Sequence, residues 1–151
     1  MYQKSSLKMV FIMALLVFGS ILLCTVFATE SQAETITVDD DGGADYTTIQ
    51  DAVNESKEGD VIRVYEGLYV EKKLIINRTV SIVGNGTGAT IIDGDENDDA
   101  VRITSPWVNM SNLAVTNSGD NDDGNDAGIF ITAANVTIRH CVIRNNDGHV
   151  R

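Results

Sequence analysis

Apolar residues in this chain come in short alternating bursts. From Gly59 onward, β-prone runs of three or four residues recur at 61–64, 74–76, 80–83, 90–92, 101–103, 108–110, 113–115, 129–131, 136–138 and 141–143, separated by Gly, Asn and Asp. Within them the pattern alternates, as in Val108-x-Met110 and Val136-x-Ile138, so each strand has one face for an interior and one for water. Upstream, Thr35-Ile36-Thr37-Val38 alternates in the same way and breaks at Asp39-Asp40-Asp41-Gly42-Gly43. The one clear helix signal follows Tyr46. Thr48 is placed to cap it, Asp51 answers three residues later, Ile49, Ala52 and Val53 share a face, and Gly59 ends it. A solitary short helix with a narrow apolar face cannot be a core and must cover something else.

The bursts repeat. With an offset of 28, Ile103-Thr104 lies over Ile131-Thr132, Val108 over Val136, Met110 over Ile138, Leu113 over Cys141, Val115 over Ile143 and Asn117 over Asn145; Ile75, Val80 and Ile82 extend the register one unit back. Apolar positions fall on apolar positions and turn positions on turn positions, which is what stacking of equivalent coils requires. The predicted fold is all-β: a right-handed parallel β-helix with a short N-terminal capping helix. Asn117 and Asn145 are expected to stack at a corner, where Asn tolerates left-handed backbone and can bond the turn.

At the N-terminus, Lys4 and Lys8 precede an apolar stretch over residues 9–23, the charged and apolar regions of an export signal. Cleavage after Ala33 is favoured over cleavage after Ala28. The competing reading is a retained anchor through residues 9–28, about 20 residues being enough to span a bilayer. The domain reading is therefore a signal over 1–33, a strand and capping helix over 34–59, and the first coils over 60–151. The chain reaches Arg151 without a closing helix or polar strand, so the β-helix is expected to be truncated, a part of a longer protein.

Charge narrows the partners. The 151 residues hold 11 Lys and Arg against 22 Asp and Glu, a net charge of -11. Such a field repels nucleic acid and anionic membrane surfaces, so neither is expected as a partner, membrane contact being confined to residues 9–28 if the signal is uncleaved. One cysteine, Cys141, remains beyond the leader and sits in register with Leu113, as a small inward hydrophobe would.

Three stretches, Asp45 to Val53, Gly59 to Val64 and Gly67 to Glu71, together resemble the opening of pectin-lyase-like right-handed β-helix proteins, pectin methylesterases included. Val80-Ser81-Ile82-Val83-Gly84-Asn85-Gly86 and the run from Asn135 to Asn146 resemble the repeats of NosD-type periplasmic and surface proteins more closely still. The resemblance implies the architecture and a polysaccharide or envelope-protein partner. It carries no catalytic residue onto this chain.

The best local candidates are two acidic corners, one after strand 90–92 and one after strand 113–115. Asp93, Asp95 and Asn97 in the first and Asp123, Asn125 and Asp126 in the second could surround a hard cation, and calcium takes six to eight oxygens; Asp98 where an EF-hand needs Gly excludes that motif. A solvated acidic edge is the alternative. Trp107 is the candidate for stacking on a sugar ring, with corner packing as its alternative. Five Asn-x-Ser/Thr sequons, at Asn54, Asn77, Asn85, Asn109 and Asn135, are usable in a glycosylating exporter. The functional expectation is a non-catalytic exported surface module that binds glycans or proteins, with no activity in this stretch. The alternative is the N-terminal part of a carbohydrate-active enzyme, a pectin esterase, polysaccharide lyase or glycoside hydrolase, whose active site lies beyond residue 151.

Overall fold

The computed structural model describes residues 32–96, 98–119 and 127–146; residues 1–31, most of the expected export signal over 1–33, lie outside them. Strand β1 (Thr35–Val38) precedes helix α1 (Ile49–Glu55), and eleven strands follow: β2 (Val61–Val64), β3 (Gly67–Val70), β4 (Leu74–Ile76), β5 (Ser81–Val83), β6 (Thr90–Asp93), β7 (Val101–Ile103), β8 (Asn109–Ser111), β9 (Ala114–Thr116), β10 (Ile129–Ile131), β11 (Thr137–Arg139) and β12 (Val142–Arg144). Every pairing is parallel, and the strands form three sheets. Sheet A runs β1-β2-β5-β8-β11, sheet B β3-β6-β9-β12 and sheet C β4-β7-β10. This is a right-handed parallel β-helix in which each complete coil among the described residues contributes one strand to each sheet.

The interior is built from three columns of side chains. Ile62, Ile82, Met110 and Ile138 stack along sheet A, Tyr69, Ile92, Val115 and Ile143 along sheet B, and Ile76, Ile103 and Ile131 along sheet C. Those on the first three coils are buried, each worth about 1.5–3 kcal/mol for an aliphatic side chain. On the last coil Ile131 and Ile143 are exposed because no described strand lies beyond them.

The 28-residue register holds between the last two coils on all three sheets. It fails one unit earlier on sheet C, where Ile75 pairs with Arg102 and Ile76 with Ile103. The expected alignment of Ile75 was one residue off, and a single-residue slip exchanges faces: Ile76 is buried and Ile75 exposed. The turns explain the slip, since four residues join β4 to β5 but five join β7 to β8. Strand β3, absent from the sequence reading, starts the column through Tyr69.

Corners repeat as faithfully as strands. Trp107 and Asn135, Asn112 and His140, and Asn117 and Asn145 form three pairs 28 residues apart, and all six have positive φ between 51° and 64°. The expected Asn117–Asn145 corner is present: the Asn117 N–H donates to the Asn145 carbonyl at 3.0 Å, while its side-chain amide donates to the Asp93 carboxylate one coil below at 2.8 Å.

The N-terminal end of the stack is closed by side chains that imitate backbone. Ile49, Ala52 and Val53 of α1 are buried over the core. Sheet C ends in β4, whose Ile75 N–H and carbonyl both bond to the Gln50 amide, at 2.8 and 3.2 Å. Sheet B ends in β3, whose Leu68 N–H donates to Asp40. An open strand edge is a template for unwanted pairing; here both edges meet a polar side chain. Among the described residues no helix is long and apolar enough to cross a membrane.

Candidate functional site

The outer face of sheet C and the turn that enters it carry the densest cluster of charge. Strand β7 places Arg102 outward between Ile75 of β4 and Phe130 of β10. The Arg102 guanidinium lies 4.8 Å from the centroid of the Phe130 ring, a cation–π distance. Its Nε donates to Asp99 at 2.8 Å, and Asp99 also accepts from the Ala127 N–H at 3.0 Å. Lys73, in the preceding coil, bonds Asp98, which Arg102 approaches at 3.8 Å. Lys73 has φ 142°, sparsely populated for a side-chain-bearing residue.

These neighbours set the two adjacent carboxyls apart. Burial, the largest influence on Asp99, raises it above the usual carboxylate range against the bonds from Arg102 and Ala127. Burial would raise Asp98 as well, but there the Lys73 bond, the Asp99 N–H and Arg102 prevail and hold it low. Displaced neighbouring carboxyls mark acid–base sites when a substrate can reach them. The Asp99 side chain has no exposed surface, and Asp98 only 12%. Their evident work is to pin the turn between sheets B and C to the coils on either side of it, through Lys73 before and Ala127 after. What this face presents to a ligand is the partly exposed Arg102–Phe130 pair.

Of the six expected metal ligands, Asp93 and Asp95 are described; Asn97, Asp123, Asn125 and Asp126 lie outside the described residues. Asp93 Oδ1 accepts from Asp95 N–H at 2.9 Å and from Asn117, and Asp95 pairs with Lys72 at 3.7 Å. Among the described residues no three His, Cys, Asp or Glu side chains converge as a metal site. Trp107 is 64% exposed at its left-handed corner. Tyr46 and Tyr69 pack against the core; the buried Tyr69 donates its hydroxyl toward the Val38 and Tyr65 carbonyls at 3.3 Å, and that hydroxyl is pushed up to about 12 by burial first and then by Asp40. Cys141 is partly buried against the core in register with Leu113, as expected.

The sequence reading missed the Lys73–Asp98–Asp99–Arg102–Phe130 cluster, taking Asp98 and Asp99 for part of an acidic edge. A signal was present: Lys73, Arg102 and Phe130 are each about one coil apart, so coil stacking alone brings them together.

The three-sheet stack defines the class, a pectin-lyase-like right-handed parallel β-helix. Within it the chain is related to pectin methylesterase-like proteins, and nothing singles out the NosD type. No protein-family model matches the chain. A curated protein of Arabidopsis thaliana, described as pectinesterase/pectinesterase inhibitor 38, is 34% identical over 119 residues, covering 74% of this chain and 24% of that protein. The chain thus spans about a quarter of the length of the curated relative it matches. Three solved structures share the fold. A pectin methylesterase from carrot has a TM-score of 0.59 and 20% identity, over 70% of this chain and 38% of that one. A pectin methylesterase solved with a hexasaccharide has a TM-score of 0.54 and 16% identity, over 72% and 48%. A pectin methylesterase from Erwinia chrysanthemi has 0.51 and 15%, over 74% and 46%.

These relatives overturn two expectations. They are described as pectinesterases, which goes against a non-catalytic surface module and against an absence of activity, and favours the enzyme alternative. The exported location, secreted or at the cell surface, stands.

Proposed function

We propose that this chain forms the capped N-terminal coils of an exported carbohydrate-active enzyme of the pectinesterase type, which removes methyl groups from an esterified polyuronide by ester hydrolysis. The observation that carries the reading is the 34% identity to a pectinesterase over 119 residues, aligned with a fold that pectin methylesterases share. The lateral faces of the stack support it, since an extended polysaccharide can lie along consecutive coils. Arg102 beside Phe130 offers a sugar carboxylate and a pyranose face the partners they bind. No described residue is assigned a role as nucleophile, acid or base: Asp99 is enclosed by its partners, and Asp98 is held by Lys73.

The test is methanol release from methyl-esterified polygalacturonate by the full-length protein, with de-esterified polygalacturonate as a control for chain cleavage. Methanol without cleavage is the expected result. Cleavage of the de-esterified chain transfers the reading to a lyase or hydrolase, and inertness toward both substrates overturns it. Calcium at the acidic corner is a separate proposal, supported by the density of carboxylates there. Calcium should raise the unfolding midpoint of the wild-type protein and raise it less after Asp95→Ala; an unmoved wild-type midpoint removes it.

A further inference from the structure

The five sequon asparagines, Asn54, Asn77, Asn85, Asn109 and Asn135, are all exposed. Their placement is one-sided. Asn109 lies on the outer face of sheet A, Asn77 and Asn135 at the turns from sheet C to sheet A, and Asn85 at the turn from sheet A to sheet B. Asn54 sits on α1, where its carbonyl accepts from Arg78 of the same C-to-A turn. No sequon falls on sheet B, on sheet C or in the acidic turns between them.

Among the described residues the asparagines outside sequons hold corners and turns; of those in sequons, Asn135 shares the left-handed corner conformation, and Asn109 Nδ2 reaches the Ser81 hydroxyl at 3.4 Å. Asn112, Asn117 and Asn145 occupy left-handed corners, and Asn146 bonds the Val115 carbonyl and the Ser118 N–H.

Trp107 supplies an independent observation. A bulky residue at φ 60° is a backbone outlier, and its equivalent one coil later is Asn135, a residue suited to that conformation. With 64% of its surface exposed, the indole contributes little to the core. Neither backbone nor packing accounts for tryptophan here. It stands two residues before Asn109, so their Cα atoms are at most about 7 Å apart. A sugar attached to Asn109 would start within reach of the indole face.

We propose that the sheet A side of the solenoid is an N-glycosylated face, and that Trp107 stacks on the first sugar carried by Asn109. The donor class is an oligosaccharide joined through a diphosphate to a membrane lipid. The bond formed joins Asn109 Nδ2 to the sugar C1; the bond broken is C1–O to the diphosphate, which leaves with the electron pair while the amide proton passes to solvent. The Ser111 hydroxyl completes the sequon, and its near-complete burial in the folded protein places the transfer on the emerging chain, before the coils close. The sugars then cover the side away from the acidic turns, leaving sheets B and C for a polysaccharide.

The test uses the full chain exported by an N-glycosylating cell. Peptide mass spectrometry after release of glycans by an amidase in heavy-oxygen water should find labelled aspartate at position 109. An unlabelled Asn109 peptide, while a sequon-bearing control protein from the same cells is labelled, overturns the proposal. Trp107→Asn separates the stacking role from a structural one. In sugar-free protein it relieves the backbone and should raise the unfolding midpoint by a few degrees; in glycosylated protein it should lower the midpoint. A shift of the same sign in both forms overturns the stacking. So does weaker polysaccharide binding by the sugar-free variant with the glycosylated midpoint unmoved, because Trp107 would then serve an external ligand.

Discussion

Glu71 shows how one buried side chain ties cap to coil. Its Oε1 accepts from the N–H groups of Ile49 and Gln50, at 2.7 and 3.2 Å, two donors that the first turn of α1 leaves without helical partners. Burial, the largest influence, pushes its carboxyl above the usual glutamate value, against those two bonds. Because the folded pKa is the higher one, the folded protein keeps the proton to higher pH. This contribution to stability is fully present below the unfolded value near 4.5 and is lost as pH rises through the folded value. Glu71→Gln keeps an acceptor without the charge, so it should flatten that part of the profile, read as urea midpoints across pH. Glu71→Ala strands both N–H groups and should cost about 1–3 kcal/mol at any pH. A steric counterpart is Gly84, where a Cβ would lie 2.4 Å from the Asn112 carbonyl oxygen of the next coil. Gly84→Ala should therefore destabilise although its backbone needs no glycine, and a fall in the thermal midpoint is the check. Glu71 and Gly84 stand in stretches that carried the family resemblance, yet their partners, 21 to 28 residues away, could not be read from the sequence.

At the level of elements, the helix signal was legible and its purpose was not. Thr48 caps α1 as its spacing predicts, accepting from the Asp51 N–H at 3.2 Å while its hydroxyl donates to the Asp51 carboxylate. The same helix supplies Gln50 to the open edge of β4, a contact across 25 residues that no local pattern announces. Thr48→Ala should cost about 1 kcal/mol of stability. Gln50→Ala should cost a similar amount and should also speed amide hydrogen exchange at Ile75, whose N–H loses its acceptor. Exchange unchanged at Ile75 would refute the edge-capping role. Sheet C shows the limit of reading elements by period: the offset of 28 held between the last two coils and slipped by one at Ile75, because turn lengths vary where strands do not. The Arg102 cluster was missed for a related reason. Its members lie on three coils, and only stacking converts their sequence distance into contact.

The whole molecule is a column in which each layer is buried by the next. Position along the column should therefore grade the cost of a cavity. Met110→Ala, between Ile82 and Ile138 in the stack, should cost about 2–5 kcal/mol. Ile138→Ala, on the last described coil and only partly buried, should cost clearly less, and denaturant midpoints of the two variants decide it. The column is also sided: a dense cluster of acids, paired with Lys72, Lys73 and Arg102, sits at the turns between sheets B and C, while the exposed sequons lie on sheet A, its flanking turns and α1. Sequence by itself determined the coil, the cap and most inward positions, because alternation, turn residues and the 28-residue period are local or repeat at a fixed distance. Tertiary structure decided which polar groups meet. Only stacking showed that two neighbouring aspartates anchor a turn, that an amide closes a strand edge, and that the sequons share one side, since each depends on turn lengths that set how one coil lies over another.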